Sequence, residues 1–108
     1  MNKKNIEGFN FWIGSSEYEN KLSEILMPKS VFEKVIQKSK ELNLPLISRI
    51  GYYSGATYQK EELPELAQEL SILKNKFKEK MIQKYLEDLI NLSTLGLKEK
   101  IKLNVIGQ

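Results

Sequence analysis

The chain has 108 residues, of which 41% are apolar and 29% charged, with a formal net charge of +3. That length and balance predict one folded domain over residues 1–108, not a disordered segment. The chain has no cysteine and no histidine, which excludes disulfides, thiol nucleophiles, imidazole general bases and the usual zinc sites.

Residues 1–54 contribute +2 and residues 55–108 contribute +1, so neither half carries a basic or acidic tail. No apolar run approaches the ~20 residues that span a bilayer, and no membrane segment is expected. Met1-Asn2-Lys3-Lys4-Asn5 has the basic start of a signal peptide. Glu7, Gly8, Asn10 and Gly14 interrupt the apolar stretch that should follow. The expected compartment is the cytoplasm.

Residues 8–14 are aromatic-rich and predict a strand. Alternation places Phe9, Phe11 and Ile13 on one face and Asn10 and Trp12 on the other. Trp12 has two readings: a residue partly buried at a sheet edge or under a loop, and a binding anchor. Residues 15–21 are polar and loop-like. Leu22–Met27 leans towards a second strand, and Pro28 suits the first position of a helix because its missing N–H is not needed there.

Val31, Phe32, Val35, Ile36 and Leu42 form one stripe at helical spacing, with Lys34, Lys38 and Glu41 away from it. Asn43-Leu44-Pro45 is a stop signal, since Asn tolerates a left-handed cap and the residue before proline avoids helix. Leu46–Ile50 then reads as a short strand. Gly51–Gly55 reads as an exposed connection, and Thr57-Tyr58-Gln59 as a return to extended chain.

Helical periodicity resumes over Lys60–Phe77 through Leu63, Leu66, Ala67, Leu70, Leu73 and Phe77, with Pro64 in the first turn. Glu61, Glu62 and Glu65 gather at its start, and Lys74, Lys76, Lys78 and Lys80 at its end, as the helix dipole favours. A further stripe runs through Met81, Ile82, Tyr85, Leu86, Leu89 and Ile90. Whether residues 60–95 make one helix or two stays open. Gly96 suits a C-terminal cap. Ile101, Leu103 and Val105 alternate with Lys100, Lys102 and Asn104, the strand pattern of the last segment. An exposed edge over residues 100–106 would pair with a second copy and give a homodimer. The sum is an α+β domain of two layers, a small sheet packed against about three helices.

No motif announces catalysis. Glu61, Glu62 and Glu65 read as a helix N-terminus, and Glu87 and Asp88 as a solvated face. Gly51-x-x-x-Gly55 is followed by Ala-Thr instead of Lys-Ser/Thr, so it fails as a phosphate loop. The expectation is a non-enzymatic protein with no metal and no cofactor. Two kinds of binding surface remain. Lys74, Lys76, Lys78, Lys80 and Lys84 could meet phosphates, with Tyr85 or Tyr58 stacking on bases; helix electrostatics explains the same lysines. Arg49, Tyr52, Tyr53 and Tyr58, joined by Trp12, Glu61 and Glu62, form a candidate protein interface, since tyrosine and arginine offer rigid contact area with a polar handle. Adjacent tyrosines point in opposite directions, so one of Tyr52 and Tyr53 is expected outside. Tyr58 and the other could equally cover the edge of the core.

The order of elements carries a resemblance. Its residues are Leu44-Pro45, Tyr53, Gly55, Tyr58-Gln59, Glu62-Leu63, Leu66-Ala67, Leu70, Leu86, Leu89, Ile90 and Ile106-Gly107. Over most of residues 29–107 the chain resembles small bacterial immunity proteins of polymorphic or contact-dependent toxin systems. The resemblance implies a protein that neutralises a cognate toxin by direct binding. Immunity proteins against nucleases are commonly acidic, whereas this chain is +3. The resemblance then requires a toxin other than a basic nuclease, or a local acidic face made by Glu61, Glu62, Glu65 and Glu69.

Overall fold

The computed structural model describes residues 7–14, 21–51 and 53–107. Four strands form an antiparallel sheet: β1 (Gly8–Gly14), β2 (Lys21–Pro28), β3 (Ala56–Tyr58) and β4 (Leu103–Gly107). Their order across the sheet is β2-β1-β4-β3. The helices are α1 (Lys29–Glu41), α2 (Pro45–Ser48), α3 (Leu63–Lys74) and α4 (Lys80–Glu99), with a 3-10 turn at Lys60–Glu62. The fold is α+β, as the periodicities predict.

The sheet's inner face is Phe9, Phe11, Ile13, Met27, Tyr58, Leu103 and Val105, and all are buried with the helices' apolar stripes in one core. The rings of Phe9 and Phe32 stack at 3.7 Å between centroids, which ties β1 to α1. On the opposite face the Asn10 amide donates to Glu24 (3.1 Å), and the Thr57 hydroxyl donates to Asn104 (3.0 Å) in the neighbouring strand.

Strand order corrects one expectation. β4 pairs with β1 over residues 103–107 and with β3 over residues 103–105, so it is an interior strand and not the expected edge. Among the described residues, β2 and β3 are the outer strands. Trp12 is corrected likewise: it lies on the interior strand β1 and is 2% exposed.

α1 ends as its sequence predicts. Asn43 takes φ 57°. The Leu44 N–H then reaches the Ser39 carbonyl (2.9 Å) and the Asn43 N–H the Lys40 carbonyl (3.2 Å), a Schellman closure. Pro28 is the N-cap of α1, one place before the expected position. Pro64 lies in the first turn of α3.

Residues 75–79 separate α3 from α4, so the long periodic segment is two helices packed on each other. This changes the electrostatic account of the lysines. Lys80 opens α4, where the dipole disfavours a cation, and Lys76 and Lys78 lie between the helices. Met81 is 60% exposed and leaves the apolar stripe of α4.

Gly96 is not a cap. It lies inside α4, whose left-handed terminal residue is Lys100 at φ 61°. A Cβ on Gly96 would sit 2.9 Å from Leu63 Cδ1, 3.0 Å from the Ile101 carbonyl oxygen and 3.3 Å from Ile13 Cγ2. Close packing therefore selects glycine here. Gly96→Ala should destabilise the protein by about 1–3 kcal/mol in urea unfolding, against the ordinary helix preference for alanine.

Candidate protein-contact surface

The segment Leu46–Ile50 has the apolar content of a strand, but its first half is helical. Pro45 presets the first helical φ and needs no hydrogen bond there. The decisive group comes from another helix. Glu69 of α3 is buried, and its carboxylate accepts from the Leu46 N–H (Oε2, 3.1 Å) and the Ile47 N–H (Oε1, 2.9 Å). An anion thus caps the orphan donors of α2. The phenol of Tyr58 donates to the Leu46 carbonyl at 2.5 Å. The Ser39 and Ser48 hydroxyls are 3.1 Å apart and tie α2 to α1.

Arg49 follows directly. Its guanidinium makes two bonds to Glu62 (Nη2–Oε2 2.6 Å, Nη1–Oε1 3.2 Å) and one to the Thr57 carbonyl (3.3 Å). The same group lies 5.0 Å from the centroid of the Tyr58 ring, within cation–π range. Glu62 also accepts from the Gln59 N–H at 3.0 Å, closing a capping box on the 3-10 turn. Burial pushes the Tyr58 phenol well above its usual range, so it stays a neutral donor.

The Arg49 hydrogen bonds, followed by the Gln59 N–H, hold the Glu62 carboxyl below the usual carboxylate range. A group with a depressed folded pKa adds stability above its unfolded pKa and loses it as pH falls through the folded value. Glu62→Gln should therefore be less stable than the parent at pH 7. The gap should begin to narrow as pH falls towards about 4, the ordinary carboxylate value, and should close only below the depressed folded value, where the parent too has lost the charge. Paired urea titrations across that range check the sign.

Beyond Arg49 the chain makes a closed turn. Gly51 and Gly55 exchange both backbone hydrogen bonds (3.1 and 2.9 Å). Gly55 takes φ +66°, so of the two glycines of this connection it is the one that takes up a left-handed backbone. Tyr53 stands at the tip and is 74% exposed. The turn is thus anchored at one end by α2 and Arg49, and at the other by β3.

The expected interface residues separate into groups. Arg49, Tyr58 and Glu62 are brought together as a brace under the turn. Tyr58 is fully buried and Trp12 nearly so, so neither offers surface to a partner in this structure. Tyr53 and Glu61 are exposed. Tyr52 lies outside the described residues. The expected acidic face is thinned, since Glu69 is buried under α2 and Glu62 is held by Arg49, leaving Glu61 and Glu65 outward.

Glu69 was the residue that sequence reasoning misplaced. Its signal was available: it lies three residues after Leu66 and four before Leu73, on the buried stripe of α3. A carboxylate at such a position needs a buried partner.

Two of the five lysines of the basic segment are committed elsewhere. Lys74 pairs with Glu87 (2.6 Å) and Lys84 with Asp88 (2.7 Å). Lys76, Lys78 and Lys80 are exposed, and none has an ion pair among the described residues. Among the described residues no group of three or more acidic side chains could hold a metal ion. No helix among them is long and apolar enough to cross a membrane. No family model, curated protein or solved structure matches the chain.

Proposed function

We propose that this chain is a non-enzymatic protein-binding domain, an immunity protein that neutralises a cognate bacterial toxin in the cytoplasm by direct contact. The observation that carries the reading is Tyr53, a 74% exposed aromatic on a turn closed by two backbone hydrogen bonds and braced from below. A turn held this way loses little backbone freedom on binding, and a tyrosine has only two side-chain torsions to fix, which is what makes it effective as an anchor. Glu61 adds a negative charge on the neighbouring 3-10 turn. The sequence resemblance supplies the class of partner.

Co-expression with the product of the adjacent gene tests the proposal. A stable complex and rescue from toxicity are expected. Tyr53→Ala should weaken that complex by about 30-fold, the loss of an interface hot spot. Its urea midpoint should move little, as for most surface substitutions. A toxic neighbour that forms no complex with this chain would sink the proposal.

A second reading rests on Lys76, Lys78 and Lys80, three exposed cations in the α3–α4 connection and at the start of α4. They would serve a small nucleic-acid-binding module through phosphate contacts. Salt-dependent binding to DNA or RNA, abolished by substituting all three with Glu, would favour it. Absence of binding at low salt would dispose of it.

A further inference from the structure

α1 has a second outward feature that the turn does not use. A depression of about 340 Å³, open to solvent, runs along it, lined by Phe32, Glu33, Ile36, Gln37, Lys40 and Ile50. Its floor is apolar: Phe32 and Ile50 belong to the core, and Ile36 is half-buried against it. Glu33 and Lys40 are seven residues apart, so two helical turns place them on one side of α1 about 10 Å apart along its axis. One end of the groove is thus negative and the other positive.

The other charges of the helix are used differently. Lys34 lies 3.9 Å from Glu79, and Lys38 pairs with Glu41 at 3.2 Å. Glu33 and Lys40 have no ion pair among the described residues. Ile50, which lines the groove, leads directly into the turn that carries Tyr53.

We infer that this groove receives an amphipathic helical segment of a partner protein. That segment presents an aliphatic side chain to Phe32, Ile36 and Ile50, a basic residue to Glu33, and an acidic residue to Lys40. Three features point to it. The floor matches an aliphatic side chain, as in helix-in-groove recognition. The opposite end charges require opposite charges about two turns apart, which a helix supplies at i and i+7. The open shape suits a segment of protein surface, whereas small-molecule sites enclose most of their ligand. The inference rests on reading the chain as a protein-binding domain, and it extends the contact from Tyr53 across Ile50 to α1.

Three synthetic 14-residue helical peptides test it, alike in a central Leu pair and differing in their flanks: Lys and Glu, Lys and Lys, or Glu and Glu. Amide chemical shifts of the intact protein report binding. The mixed peptide should bind tightest, by about two- to fivefold over each like-charged peptide, the size of exposed ion pairs. Glu33→Lys should transfer the preference to the Glu-flanked peptide, and Lys40→Glu to the Lys-flanked peptide. Ile36→Asp should weaken all three. Equal binding of the three peptides, unchanged preferences in the charge variants, or no shifts at Phe32, Ile36 and Ile50 at millimolar peptide would overturn the inference. Its failure is separable from that of the function proposal: a toxin complex lost on Tyr53→Ala and indifferent to Glu33→Lys leaves the function and removes the groove. Peptide binding without any toxin complex does the reverse.

Discussion

Gly55→Ala should destabilise the protein by about 3 kcal/mol, from a left-handed backbone penalty of ~1–2 kcal/mol and an overpacking cost of ~1–3 kcal/mol. Gly55 has φ +66°, and a Cβ there would lie 2.0 Å from the Val105 carbonyl oxygen and 3.0 Å from its carbon. These are backbone atoms of β4, which is paired on both sides, so they cannot turn aside as a side chain can. Relief would require pulling β3 from β4. Gly51→Ala is the comparison. There a Cβ would meet the Ser54 hydroxyl oxygen at 2.1 Å, the end of a short side chain that can rotate away. Its cost should stay within about 1 kcal/mol. Thermal melts of the two variants should therefore separate by roughly 10 °C or more for a chain of this size. Similar melting points would show that β3 and the turn yield cheaply, and the brace under Tyr53 would then not be rigid.

The two glycines also show how far a sequence can be read. Residue type announced a turn at 51–55, because glycine is where chains reverse. It did not say which glycine needed a positive φ, since that depends on where β4 lies. The same division runs through the chain. β1, α1 and the helical character of residues 60–95 were legible because their apolar spacing is local and repeats over several residues, whereas the break at 75–79 that makes two helices was not. The Asn43 closure was legible because it needs only the preceding turn.

Strand order was not legible. The alternation of residues 101–105 describes a strand with two faces, and nothing local says whether its edges are paired. Gly96 was misread for a related reason. A glycine near a helix end suggests a cap, whereas here two of the three atoms that select it belong to Leu63 and Ile13, far off in sequence. Tyr53 and Tyr58 are the same residue type five positions apart, one 74% exposed and the other fully buried. Only the placement of α2 above Tyr58 and the closure of the turn beneath Tyr53 separate their roles.

Glu69→Ala should cost about 3 kcal/mol and should act on α2 before it acts on the rest of the fold. The substitution removes both acceptors for the Leu46 and Ile47 N–H groups, which are 23 and 22 residues away in sequence. A buried donor left without a partner costs ~1–3 kcal/mol, and the lost bonds were made to a charged group. Glu69→Gln keeps one oxygen, but its amide would turn a donor towards the other N–H, so an intermediate loss is expected. Glu65→Ala, on the exposed side of the same helix, should change stability by less than about 0.5 kcal/mol. Hydrogen exchange distinguishes a local from a global effect. The amides of Leu46 and Ile47 should lose protection beyond the global loss, while those in the middle of α4 should follow global unfolding alone. Uniform loss across the chain would mean that the carboxylate serves the core as a whole and not α2. The consequence reaches the proposed interface through the chain itself. α2 sets the direction of Arg49 and Ile50, Arg49 fixes Glu62 and rests on Tyr58, and Ile50 leads into the turn under Tyr53. Loosening the cap should therefore weaken a complex made through Tyr53, although Glu69 itself is buried beneath α2.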